Sequence, residues 1–167
     1  NYLGAVNNFV KFQRAGNTCM YFIADLHTLT TLENVAELRG NVLEIATDYL
    51  AAGLDPNNCI IYAQSIIPEL PELCWYLSTL QPVGDLQNIP TFKEKIRDNP
   101  NNINLALLTY PVLMAADILG PRATMVPVGE DQVPNVELAR DIARKFNNKY
   151  GDTFVLPKMM DAMVKIP

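Results

Sequence analysis

The sequence predicts an α/β fold in which a parallel sheet carries helices on both faces. Three observations lead there. Cys19–Ala24, Cys59–Ala63 and Ala123–Val128 are short continuous apolar runs of the kind that fills strands buried on both sides. Stretches with apolar residues at helical spacing separate them, and parallel neighbours need such crossovers, which place helices on the sheet faces. Finally, 49% of the 167 residues are hydrophobic and 19% charged, enough apolar matter for a folded core.

The elements follow in order. Tyr2, Leu3, Val6, Phe9, Val10 and Phe12 keep helical spacing until Gly16, and the first strand begins at Cys19. Thr30 with Glu33 reads as a capping box ahead of a stripe formed by Val35, Leu38, Val42, Ile45, Ala46, Tyr49 and Leu50, which Gly53 ends. After the strand Cys59–Ala63, Pro68 and Pro71 suit a first helical turn, and Pro82 forbids helix beyond Leu80. Residues 82–104 hold prolines, Gly84, the charged Lys93–Lys95 run and an Asn-rich patch, the composition of a surface loop. Pro111 fits the first position of a helix reaching Leu119. The third strand then leads to Gly129, and Val133–Tyr150 is amphipathic with Gly151 as its stop. The last sixteen residues carry no clear pattern.

Composition excludes several function classes. With 13 Lys plus Arg against 18 Asp plus Glu, a net charge of −5 gives no polybasic surface for nucleic acid, so any such contact is local. The most apolar stretch, Leu105–Leu119, is broken by Pro111 and Asp117 and is shorter than the roughly 20 residues that span a membrane. Cys19, Cys59 and Cys74 are odd in number and far apart, which reads as reduced thiols in a cytoplasmic protein. The opening on Asn1 without a Met, and a last residue in mid-pattern, suit a segment of something longer.

Candidate chemistry lies at the carboxyl ends of the expected strands, where such sheets bind ligands. In Leu108–Leu119, Tyr110, Met114 and Asp117 stand at i, i+4 and i+7 and share one helical face. An Asp on an apolar helix needs a donor: a ligand N–H, Arg122 or a nearby backbone N–H. Met114 suits either core or pocket wall. In Met125–Gln132 a strand delivers Gly129, two carboxylates and an amide to the start of a helix. Asp131 there could take a sugar's hydroxyls, although Glu130 and Asp131 also suit a first helical turn through the macrodipole. His27 is the only histidine and cannot build a metal site alone. It could contact a polar ligand, act as a base beside Asp25, or simply be a loop residue. Lys95 in the Phe92–Lys95 run is either a solvated charge or a phosphate contact.

In order along the chain, NYLGA from Asn1, ADLHTLT from Ala24, YLAAGLDP from Tyr49, FKEK from Phe92, LTYPVLMAADIL from Leu108, VPVGEDQ from Val126 and ELARDIARKFN from Glu137 closely resemble the tryptophan-specific class I aminoacyl-tRNA synthetases. The resemblance implies a Rossmann-like nucleotide-binding domain. It makes Asn1 the last residue of a HIGH-type motif near ATP, and Gly129, Glu130 and Asp131 ribose and adenine contacts. Lys95 becomes a mobile phosphate-loop lysine and the catalytic cation, and Ile166 an apolar residue under adenine. Tyr110 and Gln132 would hold the α-amino group of L-tryptophan, Asp117 its indole N–H, and Met114, Val126 and Val128 the indole walls, with His27 a polar neighbour.

Tyrosine-specific relatives share the fold and the Asp; their archaeal-type members carry Gln where Met114 stands, and Met suits an indole. Two stretches depart from the family: Asn88, Ile89, Pro90 and Thr91 replace a usual Met-Thr-Gln before Phe-Lys, and Gly120, Pro121 and Arg122 stand where an aromatic is common. The implied activity joins tryptophan to tRNA(Trp) through an adenylate. ATP is the substrate, Mg²⁺ travels with it without a protein-ligated metal site, and the expected protein is a cytoplasmic homodimer without membrane attachment. Residues 1–167 would be an incomplete catalytic domain, lacking the first strand, most of the HIGH-type motif, the KMSKS loop and the helical anticodon-binding domain. A non-catalytic paralogue that holds tryptophan or adenylate is the alternative, with tyrosine activation a further one.

Overall fold

The computed structural model describes residues 6–32, 34–98 and 100–161. The described residues divide into two compact units, residues 6–67 and residues 68–161.

In the first unit, α1 (Asn7–Arg14) leads to β1 (Cys19–Ile23), with Gly16 making the turn at φ 81°, a conformation that favours glycine. A short α2 (Asp25–Thr28) follows directly, then a 3₁₀ turn at Val35–Glu37, α3 (Leu38–Ala51) and β2 (Cys59–Ala63). The strands pair in parallel, Cys19 opposite Cys59 and Ile23 opposite Ala63. Their core is Val10, Cys19, Tyr21, Leu54 and Cys59, with the Phe9 and Tyr21 rings stacked at 4.4 Å and the Tyr21 hydroxyl donating to the Phe9 carbonyl at 2.9 Å.

Asn34 caps the turn that leads into α3, and the expected Thr30–Glu33 capping box rests on a residue outside the described ones. Thr30 Oγ1 donates to the His27 carbonyl at 2.8 Å, and Asn34 Oδ1, next to the turn, accepts from the Ala36 N–H at 3.2 Å. Glu33 lies outside the described residues. The helix forms as its periodicity predicts, yet none of the residues of α3 is buried.

In the second unit, α4 (Glu69–Ser78), α5 (Val83–Gln87), α6 (Pro90–Asp98) and α7 (Leu105–Leu119) precede β3 (Met125–Val128), α8 (Val133–Tyr150) and β4 (Lys158–Asp161). β3 and β4 pair in parallel, Val126 opposite Met159. Leu77, Leu107, Val112, Leu119, Val136 and Ile142 lie at the centre of the core, each at most 1% exposed.

Three sequence expectations change here. Residues 82–104 are largely helical rather than looped, because Leu86, Ile89 and Phe92 join the core and draw α5 and α6 onto it. Pro111 does not begin its helix: Asn104 caps α7 by accepting from the Leu107 N–H at 2.9 Å, which places Pro111 inside. Proline forfeits one backbone bond there. The Thr109 hydroxyl meets the Leu105 carbonyl at 3.1 Å on the same stretch. The third strand starts at Met125 rather than Ala123, since the Ala123 N–H is spent closing α7 on the Ile118 carbonyl at 3.1 Å and Arg122 turns at φ 57°. β4 had no sequence signal; Asn147 prepares it by accepting from the Thr153 and Phe154 N–H groups at 3.0 and 2.9 Å, turning the chain back after α8.

Candidate functional site

The second unit gathers most of the candidate residues. Tyr110, Met114 and Asp117 lie along one face of α7, with Tyr110 and Asp117 buried and Met114 half-buried. Asp117 is 3% exposed, and its negative charge reaches Cys74 on α4, where, after burial, it helps hold the thiol in its neutral form. Met114, Val126 and Val128 pack against the same core cluster without being fully covered, as pocket walls must. β3 carries both valines and ends at Gly129; Glu130–Gln132 form one 3₁₀ turn before α8. Glu130 and Asp131 stay exposed there while Gln132 is half-buried.

Hydrogen bonds join these elements into one polar chain. The Tyr110 hydroxyl donates to Thr91 Oγ1 at 2.6 Å, and Thr91 Oγ1 donates to Asn135 Oδ1 at 3.4 Å. Asn135 Nδ2 then donates to Gln132 Oε1 at 2.9 Å, and Gln132 Nε2 to Asp131 Oδ2 at 2.6 Å. Burial raises the pKa of Tyr110, its hydrogen bonds with Thr91 and Asn135 oppose the rise, and Glu94 adds to it. The phenol is therefore neutral in neutral solution. The Lys95 ammonium stands 4.9 Å from the centre of the Tyr110 ring, a cation–π distance. Lys95 thus sits on a helix against the site, where a loop was expected.

Thr91 and Asn135 were not foreseen as site residues. Asn135 shares its helical face with Leu138, Ala139 and Ile142 at i+3, i+4 and i+7, and it is fully buried. A polar residue inside an apolar stripe was the available signal. Thr91 occupies the stretch where the chain departs from the family pattern.

His27 belongs to the first unit, on α2 beyond the end of β1, and its backbone N–H donates to Gln64 Oε1 at 3.3 Å. Asp25, 5% exposed, accepts from the Ser65 N–H at 2.9 Å and the Ser65 hydroxyl at 2.5 Å. That carboxylate ties the chain after β1 to the chain after β2. Asn1 and Ile166 lie outside the described residues. Among the described residues no three His, Cys, Asp or Glu side chains gather as a metal site, and no helix is long and apolar enough to cross a membrane. The three cysteines are free thiols.

The chain is similar to known proteins in sequence and in fold. The chain is 47% identical over 169 aligned residues to a tryptophan–tRNA ligase of Rhodopirellula baltica, covering all of this chain and 52% of that protein. A tryptophan–tRNA ligase of Porphyromonas gingivalis is 49% identical over 154 residues, 92% of this chain and 47% of its own length. The crystal structure of tryptophanyl-tRNA synthetase from Campylobacter jejuni complexed with ADP and tryptophan superposes with a TM-score of 0.89 at 40% identity, over 96% of this chain and 50% of that one. The fold class is thus α/β and Rossmann-like, and the chain spans about half the length of the relatives it matches. The model of one family, tRNA synthetases class I (W and Y), matches residues 2–165, and the chain belongs to that family.

Proposed function

We propose that these residues form the central part of the catalytic domain of a tryptophan–tRNA ligase, which activates L-tryptophan with ATP and transfers it to tRNA(Trp). The observation that carries this reading is the face of α7, where a buried carboxylate, a half-buried thioether and a buried phenol stand in one row. A carboxylate at one end takes an indole N–H, an apolar wall takes the ring, and a neutral phenol at the other end takes an ammonium. The names of the relatives agree with it.

Each candidate residue then has a role. Asp117 accepts from the indole N–H, Met114, Val126 and Val128 line the ring, and Tyr110 with Gln132 accepts from the α-ammonium. To His27, in the first unit, the resemblance alone assigns a polar role toward the amino acid. Gly129, Glu130 and Asp131 hold ribose and adenine at the start of α8; the resemblance alone assigns Asn1 and Ile166, outside the described residues, to ATP. In the first step a tryptophan carboxylate oxygen attacks the α-phosphorus of ATP and pyrophosphate leaves. In the second a hydroxyl of the terminal tRNA ribose attacks the acyl carbon and AMP leaves. Neither step needs a nucleophilic side chain, so orientation of the two substrates and charge stabilisation supply the catalysis. Lys95 contributes a cation to the phosphates, and Mg²⁺ arrives bound to ATP. A homodimer acting in the cytoplasm completes the proposal.

The test is ATP–pyrophosphate exchange by the full-length protein. Exchange that depends on tryptophan, with tyrosine at least about a hundredfold poorer, is the expected result. Exchange driven equally by tyrosine, or absent with both, overturns it.

A further inference from the structure

We propose that Thr91 and Asn135 are positioning residues that turn Tyr110 and Gln132 into acceptors for a substrate ammonium, through the one-way hydrogen-bond chain that runs from Tyr110 to Asp131. This rests on the tryptophan-activating reading above and extends it to two residues that touch no substrate in that reading.

Direction is what matters. Tyrosine hydroxyls and glutamine amides can each donate or accept, so neither residue type alone selects a cation. Here the hydroxyl hydrogen of Tyr110 is committed to Thr91 at 2.6 Å, and toward a ligand its oxygen can only accept. Gln132 is oriented at both ends. Its carbonyl oxygen faces Asn135 Nδ2 at 2.9 Å, and its NH₂ is held by the Asp131 carboxylate at 2.6 Å. A carbonyl oxygen carries two lone pairs, so one bond from Asn135 leaves acceptor capacity on the side the amide is made to present. Thr91 closes the sequence by donating to Asn135 Oδ1 at 3.4 Å, so the four bonds from Tyr110 to Asp131 run one way, while the Asn135 side chain also bears directly on the Tyr110 hydroxyl.

Burial makes the orientation firm. Asn135 is fully buried and Thr91 is 8% exposed, so water does not compete freely for these bonds. Both come from elements that the core holds in place, Thr91 from α6 beside Phe92 and Asn135 from α8 beside Val136. Removing the Thr91 hydroxyl frees the Tyr110 hydrogen to swing toward the ligand, and removing the Asn135 amide lets Gln132 rotate its NH₂ there. Either change sets a donor against the ammonium.

The experiment uses the full-length protein and two probes of the same shape: L-tryptophan and indole-3-propionate, which has hydrogen in place of the ammonium. Thr91→Val keeps the side-chain shape and loses the hydroxyl; Asn135→Leu removes the amide; Thr91→Ser restores the hydroxyl. In pyrophosphate exchange, Thr91→Val and Asn135→Leu are expected to raise the KM for tryptophan about tenfold, the size of one hydrogen bond lost. The KM for ATP and the inhibition constant of indole-3-propionate should stay within about twofold, and Thr91→Ser should recover most of the affinity. A parallel rise for both probes, or an unchanged KM in Thr91→Val, overturns the proposal. Should Asn135→Leu fail to fold, Thr91→Val and Thr91→Ser decide alone. If the unaltered protein shows no tryptophan-dependent exchange, the functional reading itself fails and takes this inference with it.

Discussion

Asp117 illustrates how a single residue can be read from both directions. From the sequence, an acid within LTYPVLMAADIL demanded a donor; in the structure it is 3% exposed and close enough to Cys74 for its charge to be felt there. Asp117→Asn keeps the shape and removes the charge, and should weaken tryptophan binding in the full-length protein by about 1.5–3 kcal/mol, the range for a hydrogen bond to a charged group. Calorimetric titration reads it, and an unchanged affinity would confine Asp117 to the fold. At Met114 the expectation concerns selectivity. Met114→Gln places an amide against the apolar core cluster, at a cost to tryptophan of roughly 1–3 kcal/mol, whereas a phenol could satisfy it. Adenylate formation with both amino acids checks this, and a fixed preference would remove Met114 from the pocket wall. Residues such as these are legible because their chemistry conflicts with their surroundings. Thr91 escaped notice because a threonine beside a proline in a polar stretch conflicts with nothing until Tyr110 is brought to it across nineteen positions.

Elements were legible where one signal dominated. α8 spans Val133–Tyr150 as its stripe and terminal glycine predict, and β2 spans Cys59–Ala63 as its apolar run predicts. Pro111 misled because proline marks helix starts only as a tendency, and Asn104, seven residues before it, supplied a stronger start. The departure at Gly120 has a packing reason that a single sequence cannot display. A Cβ built there would lie 2.9 Å from the Ala116 carbonyl oxygen and 2.9 Å from Leu70 Cδ2, so α4 meets the end of α7 too closely for a side chain. Gly120→Ala must push α4 away or distort the last turn, and overpacking of this kind costs about 1–3 kcal/mol. A lowered thermal midpoint is expected. An unchanged one would show that Leu70 swings aside at no cost, and the close approach would then be incidental.

Across the whole chain, the apolar residues are unevenly used. In the second unit Leu77, Leu107, Val112, Leu119, Val136 and Ile142 are sealed from solvent, and α7 and α8 carry most of them. The first unit's buried apolar residues, among those described, are Val6, Val10, Cys19, Tyr21, Ile23, Leu54 and Cys59. Its longest helix, α3, leaves Leu43 65% and Leu50 49% exposed, with Val35 just before it at 59%. Periodicity predicted that helix without revealing this, because a stripe records only that one face differs from the other, not what lies over it. Stability should follow burial. Helices owe most of their persistence in water to tertiary packing, and a helix with no buried side chain opens without the core having to open. In the 167-residue chain, backbone amides of α3 are therefore expected to exchange with solvent at least about a hundredfold faster than those of α7 and α8, a gap of about 2.7 kcal/mol in opening free energy. Hydrogen exchange followed by mass spectrometry on peptides from each helix measures it directly. Protection of α3 equal to that of α7 would mean that the exposed stripe is covered in solution, and that burial in the isolated chain does not rank its helices.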